Sequence, residues 1–137
     1  YSRVEIPHIT KRELYEKSGH WEKFKDELFK IETREGRIFA MKPMNCPHHT
    51  QIYARKLWSY RDLPQRYANT TMCYRDEQTG ELSGLSRARS FTQDDAHVFC
   101  RLSQAKEEFL KISSRDIKPC KAIEFRGVGG GIVMVFL

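Results

Sequence analysis

Arg75 and Glu77 lie two residues apart in the segment CYRDE at 73–77. An arginine can clamp a phosphate or carboxylate with two parallel hydrogen bonds. A glutamate beside it can accept from an amine or bind a divalent ion. On a strand spanning 65–77 the two side chains would face the same way. An exposed salt bridge is the competing account, and from spacing alone it is the commoner one. Arg87 and Arg89 share a second strand face just past a polar loop. With Arg75 they could surround a polyphosphate, and Phe91 could stack on a base. Singly, Phe91 reads as core and the arginines as solvated. As an ordered set on two paired strands they favour a nucleotide.

Cys46 and His97 are plausible zinc ligands. Cys46-x2-His49 has ligand-like spacing, with His48 alongside, but one such pair is weak evidence. Asp94 and Asp95 could orient His97 or bind a substrate amine or hydroxyl; a solvated turn is the alternative. His20, between Ser18-Gly19 and Trp21, has the titration range for proton transfer, although a lone histidine is more often structural. Gly127–Gly131 is no phosphate loop, because no Gly-Lys-Ser/Thr follows. No Ser-His-Asp or Cys-His hydrolase pattern is present.

These residues need elements to hold them. Residues 1–9 alternate Val4 and Ile6 with polar neighbours before Pro7, which predicts a short strand that either leads into a turn or lies at a sheet edge. Thr10 with Glu13 three residues on predicts a capped helix over 10–17, stopped by Ser18-Gly19. Residues 22–33 fit an amphipathic helix through Phe24, Leu28 and Ile31, or a segment that ends as a strand. Residues 37–41 read as a strand broken at Lys42-Pro43. Residues 46–60 read as a helix with Pro47 in its first turn and Ile52, Ala54, Leu57 and Trp58 along one side. Two strands, 65–77 and 88–101, enclose the loop 78–87, a length that usually carries function. Ser103 caps a predicted helix over 103–112. Residues 113–126 show little periodicity, and the closing IVMVFL is an apolar segment that can be a strand.

The chain has 137 residues, enough for one domain with a core. Hydrophobic residues make up 39% and charged residues 31%, a globular and soluble composition. The net charge of +6 and pI of about 9.2 fit a polyanionic partner or simply a lysine-rich surface. The four cysteines form no disulfide framework, which suits a cytoplasmic location. No apolar run approaches the ~20 residues of a membrane helix. The first residue is not Met, so the sequence reads as a piece of something longer.

Five segments together resemble the catalytic domain of threonyl-tRNA synthetases, within the class II aminoacyl-tRNA synthetases. They are EKSGHW at 16–21, KPMNCPHH at 42–49, SYRDLPQRYA at 59–68, CYRDE at 73–77 and RARSFTQDDAHVF at 87–99. The resemblance covers 1–112, read as a partial catalytic domain with the end of motif 1 and all of motif 2. Residues 113–137 are unassigned. It implies an α+β fold: an antiparallel sheet flanked by helices, class II-like and incomplete. It implies that Arg75 binds the ATP α-phosphate and the amino-acid carboxylate, Glu77 the adenine amine, Arg87 the outer phosphates, and that Phe91 stacks on adenine. Residues 78–86 would approach the tRNA acceptor end.

Cys46 and His97 match two of three family zinc ligands. That zinc holds threonine through its amino and hydroxyl groups, so valine cannot complete the chelate. Gln93 and Asp95 look like threonine-pocket residues, Met44 like a pocket wall, and His20 like a histidine associated with transfer to the tRNA ribose. His49 matches a family histidine that is not a ligand. The resemblance also implies ATP with magnesium, threonine and tRNA(Thr) as substrates, and a homodimer built partly by residues 1–9. Position 48 is His where the family commonly has Gly, which would alter the helix start. Motif 3 and the third zinc histidine have no counterpart here, so the zinc shell is expected to be incomplete. Two functions follow: a threonine–tRNA ligase core fragment, or a non-catalytic nucleotide- or RNA-binding module derived from it.

Overall fold

The computed structural model describes residues 1–113, 125–127 and 132–136. Its strands form two sheets, and its described residues fall into two compact units. The mixed α and β architecture with antiparallel pairings and few helices agrees with the expected fold class.

The first unit comprises Tyr1–Val4, His49–Asn69 and Asp94–Leu137. A five-stranded sheet of order β1-β5-β6-β8-β7 supplies its strands. These are β1 (Ser2–Arg3), β5 (Gln65–Tyr74), β6 (Ser90–Arg101), β7 (Phe125–Gly127) and β8 (Ile132–Phe136). Residues 70–74 of β5 and 90–93 of β6 belong to the second unit. β1 runs parallel to β5, pairing Ser2 with Tyr67 and Arg3 with Ala68, at the sheet edge, one of the two placements that the Pro7 argument allows. The apolar C-terminal segment does find a partner: β8 pairs antiparallel with β6, His97 opposite Phe136 through Arg101 opposite Ile132. The expectations for 114–124 and for residues 128–131 of the Gly-rich segment lie outside the described residues.

β6 buries both faces within this unit. Val98 and Cys100 pack with Ala105 and Ile112 of α4 (Leu102–Ser113). On the other face Phe99 packs with Tyr53 and Tyr67, and the Tyr53 and Phe99 rings stack 4.3 Å apart at 3°. Arg66 of β5 grips Glu108 of α4 with two hydrogen bonds of 2.7 Å. The predicted Ser103 cap is not used: α4 starts at Leu102, and the Gln104 side chain accepts from the Arg101 N–H at 3.0 Å. The predicted helix 46–60 is shorter. α3 spans Cys46–Tyr53, and the Trp58 indole N–H donates to the Tyr53 carbonyl at 2.6 Å, closing its end. Leu57 is consequently exposed rather than on an apolar face.

The second unit comprises Glu5–His48 and Thr70–Gln93. Its own sheet has the order β2-β4-β3, all antiparallel, from β2 (Ile9–Lys11), β3 (Lys30–Glu32) and β4 (Ile38–Met41). Tyr15, Trp21, Leu28 and Ala40 form its core with Phe24 against them. Thr10 does not cap α1 (Arg12–Lys17); it lies in β2, and its hydroxyl meets His48 Nε2 at 2.7 Å. Gly19, at φ 74°, separates α1 from α2 (His20–Lys23), a conformation that suits glycine. Of the two readings of 22–33 the strand ending is realised, as β3. His48 does not disrupt α3, which begins at Cys46, because its ring fits between Thr10 and Tyr15.

Candidate functional site

Arg75 and Glu77 lie just beyond the end of β5, so strand alternation does not align them as expected. A local turn does: the Glu77 N–H donates to the Arg75 carbonyl at 2.9 Å, and the Arg75 N–H donates to the Arg89 carbonyl at 2.8 Å. Arg87 and Arg89 likewise precede β6. The Glu77 carboxylate is buried, 4% exposed. It accepts from Arg87 Nε at 2.9 Å and Arg87 Nη2 at 2.8 Å. Arg87 also reaches Glu81, at 3.3 Å. Arg89 Nε donates to the Glu77 carbonyl at 3.0 Å. The hydrogen bonds from Arg87 hold the Glu77 carboxyl below the usual carboxylate range and push the Arg87 guanidinium up.

The Arg75 guanidinium lies 5.1 Å from the centre of the Phe91 ring. Arg75, Glu77, Arg87, Phe91 and Gln93 all line one cavity of about 380 Å³, with Leu85, Ser86 and Ala88. That is the lower range of small-molecule sites. Two arginines, an anionic acceptor and an aromatic face around one cavity can bind an anionic, base-bearing ligand. Glu81 was missed by sequence reasoning, since an acidic loop residue carries no signal of its partner.

In the first unit the Nδ1 atoms of His49 and His97 lie 2.6 Å apart, and both rings are fully buried. Asp95 Oδ2 is 3.9 Å from His97 Nδ1. Candidate donor atoms of His49, Asp95 and His97 all lie within 4.8 Å of one another. Burial first, and the neighbouring His49 second, push His97 down to about 3. His97 is therefore neutral near pH 7, the form that ligates a metal. His97 offers the imidazole donor that zinc takes; His49 and Asp95 are not among the ligands that the resemblance implies. Two nitrogen ligands on one tetrahedral zinc would sit roughly 3.4 Å apart at bonds of about 2.0–2.1 Å. The 2.6 Å contact is thus a hydrogen bond, with His49 as the partner that orients His97.

Cys46 opens α3 and is half-buried, as is Met44. His20 is buried, its Nδ1 2.9 Å from the Ser18 hydroxyl and its ring stacked on Phe24. Sequence reasoning passed over Lys42, whose ammonium donates to both Asn45 and Thr71 in the second unit.

Residues 29–117 match the family model for the tRNA synthetase class II core domain (G, H, P, S and T). The chain belongs to that family. It is 54% identical to the threonine–tRNA ligase of Flavobacterium psychrophilum over 82% of this chain and 18% of that one. It is 47% identical to that of Ehrlichia canis over 93% of this chain and 20% of that one. The chain therefore spans about a fifth of the length of these relatives. Among solved structures it is similar to a crystal structure described as the RNA binding domain of threonyl-tRNA synthetase from Cryptosporidium parvum. The TM-score is 0.77 and the identity 39%, over 82% of this chain and 28% of that one. A putative threonyl-tRNA synthetase from Aeropyrum pernix follows, with a TM-score of 0.73 and 33% identity, over 82% and 25% of the two chains. The sequence resemblance to this family is borne out. Among the described residues no helix is long and apolar enough to cross a membrane.

Proposed function

We propose that the chain is part of the catalytic core of a threonine–tRNA ligase. The observation that carries this reading is the single cavity lined by Arg75, Glu77, Arg87, Phe91 and Gln93, in a chain so similar to threonine–tRNA ligases. ATP would enter with adenine on Phe91, its amine donating to Glu77, and its outer phosphates on Arg87. Magnesium would accompany the phosphates. Arg75 would hold the threonine carboxylate and the α-phosphate together. A carboxylate oxygen attacks the α-phosphorus, the bond to the bridging oxygen breaks, and pyrophosphate leaves. Arg75 stabilises the charge that gathers on the α-phosphoryl oxygens. A terminal ribose hydroxyl of tRNA(Thr) then attacks the acyl carbon and AMP departs, with His20 as the histidine associated with that transfer.

Cys46 and His97 would hold zinc, with Met44, Gln93 and Asp95 around the amino acid. When bound, zinc supplies a Lewis acid for the threonine amine and hydroxyl. Asp95 would accept from the hydroxyl, a contact that an amino acid without a hydroxyl cannot make. A homodimer and a cytoplasmic setting complete the reading.

Threonine-dependent exchange of pyrophosphate into ATP tests it. Exchange by the chain that disappears in Arg75→Ala supports it. A second reading, a nucleotide-binding module without chemistry, draws on the Glu77–Arg87 pair, which is satisfied without a substrate. Tight ATP binding with no exchange would favour it.

A further inference from the structure

We propose that Lys42 is a positioning residue, whose ammonium locks the segment that presents Met44 and Cys46. Lys42 is fully buried, uncommon for lysine. Its Nζ donates to Asn45 Oδ1 at 3.1 Å and to Thr71 Oγ1 of β5 at 2.6 Å. Its backbone is tied on both sides: its N–H donates to the His8 carbonyl and its carbonyl accepts from the Tyr74 N–H, each at 2.9 Å. Asn45 is also fully buried, and its carbonyl accepts from the His48 N–H at 3.1 Å as α3 begins. The Lys42–Asn45 bond therefore closes a turn across Pro43 and Met44 and sets the start of the helix.

Burial along this segment is selective. From Lys42 to His49 every side chain is buried except Met44 and Cys46, which stay half-buried. Those are the two residues assigned above to the pocket wall and the metal. Lysine ordinarily keeps its ammonium in water and buries only its stem. Sinking the charge costs desolvation, which hydrogen bonds must offset. The geometry places that offset at the turn that carries Met44 and leads into Cys46. The proposal rests on the ligase reading for what Met44 and Cys46 do, but not for how they are held.

Two measurements separate the two levels. The first is alkylation of Cys46 by iodoacetamide, followed peptide by peptide, with buried Cys73 and Cys100 as internal reporters of an intact fold. Lys42→Met and Asn45→Leu are expected to speed Cys46 alkylation about tenfold while both reporters stay protected. Asn45→Asp keeps an acceptor for the ammonium and is expected to stay near the unsubstituted rate. If Lys42→Met exposes Cys73 and Cys100 as well it has unfolded, and Asn45→Leu against Asn45→Asp decides. Equal Cys46 rates in those two, or an unchanged rate in a folded Lys42→Met, overturn the proposal. The second measurement is Co²⁺ titration of the unsubstituted chain, read by the thiolate charge-transfer band. Its absence defeats the metal reading of Cys46 and leaves the alkylation result to stand or fall separately.

Discussion

His49 Nδ1 and His97 Nδ1 share one hydrogen bond of 2.6 Å inside the first unit. Only one ring can supply that proton when both are neutral. With His97 as donor, its Nε2 keeps the lone pair a metal needs, and the ring is fixed in direction. His49→Leu is expected to weaken Zn²⁺ binding about 10- to 100-fold, measured by competition with a chromophoric chelator. Unchanged affinity would show that His49 does not orient His97.

The Glu77–Arg87 pair predicts a split among adenine nucleotides. Glu77→Gln is expected to weaken ATP and AMP alike, by about tenfold, because its partner would be the adenine amine. Arg87→Ala is expected to weaken ATP by a similar factor and AMP by less than about threefold, because outer phosphates are its ligands. Isothermal titration of both nucleotides checks this. Equal losses for ATP and AMP in Arg87→Ala would remove Arg87 from the outer-phosphate role.

Acid stability should depend on Glu108. Its hydrogen bonds from Arg66 outweigh its desolvation and hold its carboxyl below the usual range, and the same pairing raises Arg66. The folded value is thus below the unfolded one, about 4.3. The contribution is complete above that value and is lost as pH falls through the folded one. Glu108→Gln is expected to cost about 1 to 2 kcal/mol at pH 7, less than a fully buried pair because Arg66 is partly exposed. It should also flatten the decline in acid. Urea unfolding at pH 7 and pH 3 measures both; a variant whose deficit persists undiminished at pH 3 would contradict this.

Phe99 anchors the aromatic stack of the first unit. Phe99→Ala is expected to destabilise by about 3 to 5 kcal/mol, and Phe99→Leu by less. Thermal unfolding with near-ultraviolet circular dichroism follows both the stability and the loss of ring packing. A loss under about 1 kcal/mol would mean that Tyr53 and Tyr67 repack without it.

The long strands β5 and β6 were legible because their two-residue period is a local signal; Arg75, Glu77, Arg87 and Phe91 were picked out by residue type, but turns outside the strands, not strand alternation, bring the first three together. The helix caps were not legible. Thr10 and Ser103 have the right chemistry for caps, but His48 engages the first, and α4 starts one residue before the second, with the Gln104 side chain accepting from the Arg101 N–H. The shortened α3 depends on an indole reaching back to a carbonyl, which the spacing of Leu57 and Trp58 does not encode. Lys42 was silent for a related reason. Lysine suggests a surface, and only the partners from 45 and 71 make its burial tolerable.

β6 alternates its duties within the first unit: Asp95, His97 and Phe99 fall on one parity, Val98 and Cys100 on the other. Letters can therefore change along this strand far more readily than its length can. One residue inserted or deleted between 95 and 98 would exchange the two parities for the rest of the pairing. The histidine would trade places with the aliphatic core in a single event. Among descendants of this sequence, gaps between 95 and 98 should be rarer than substitutions.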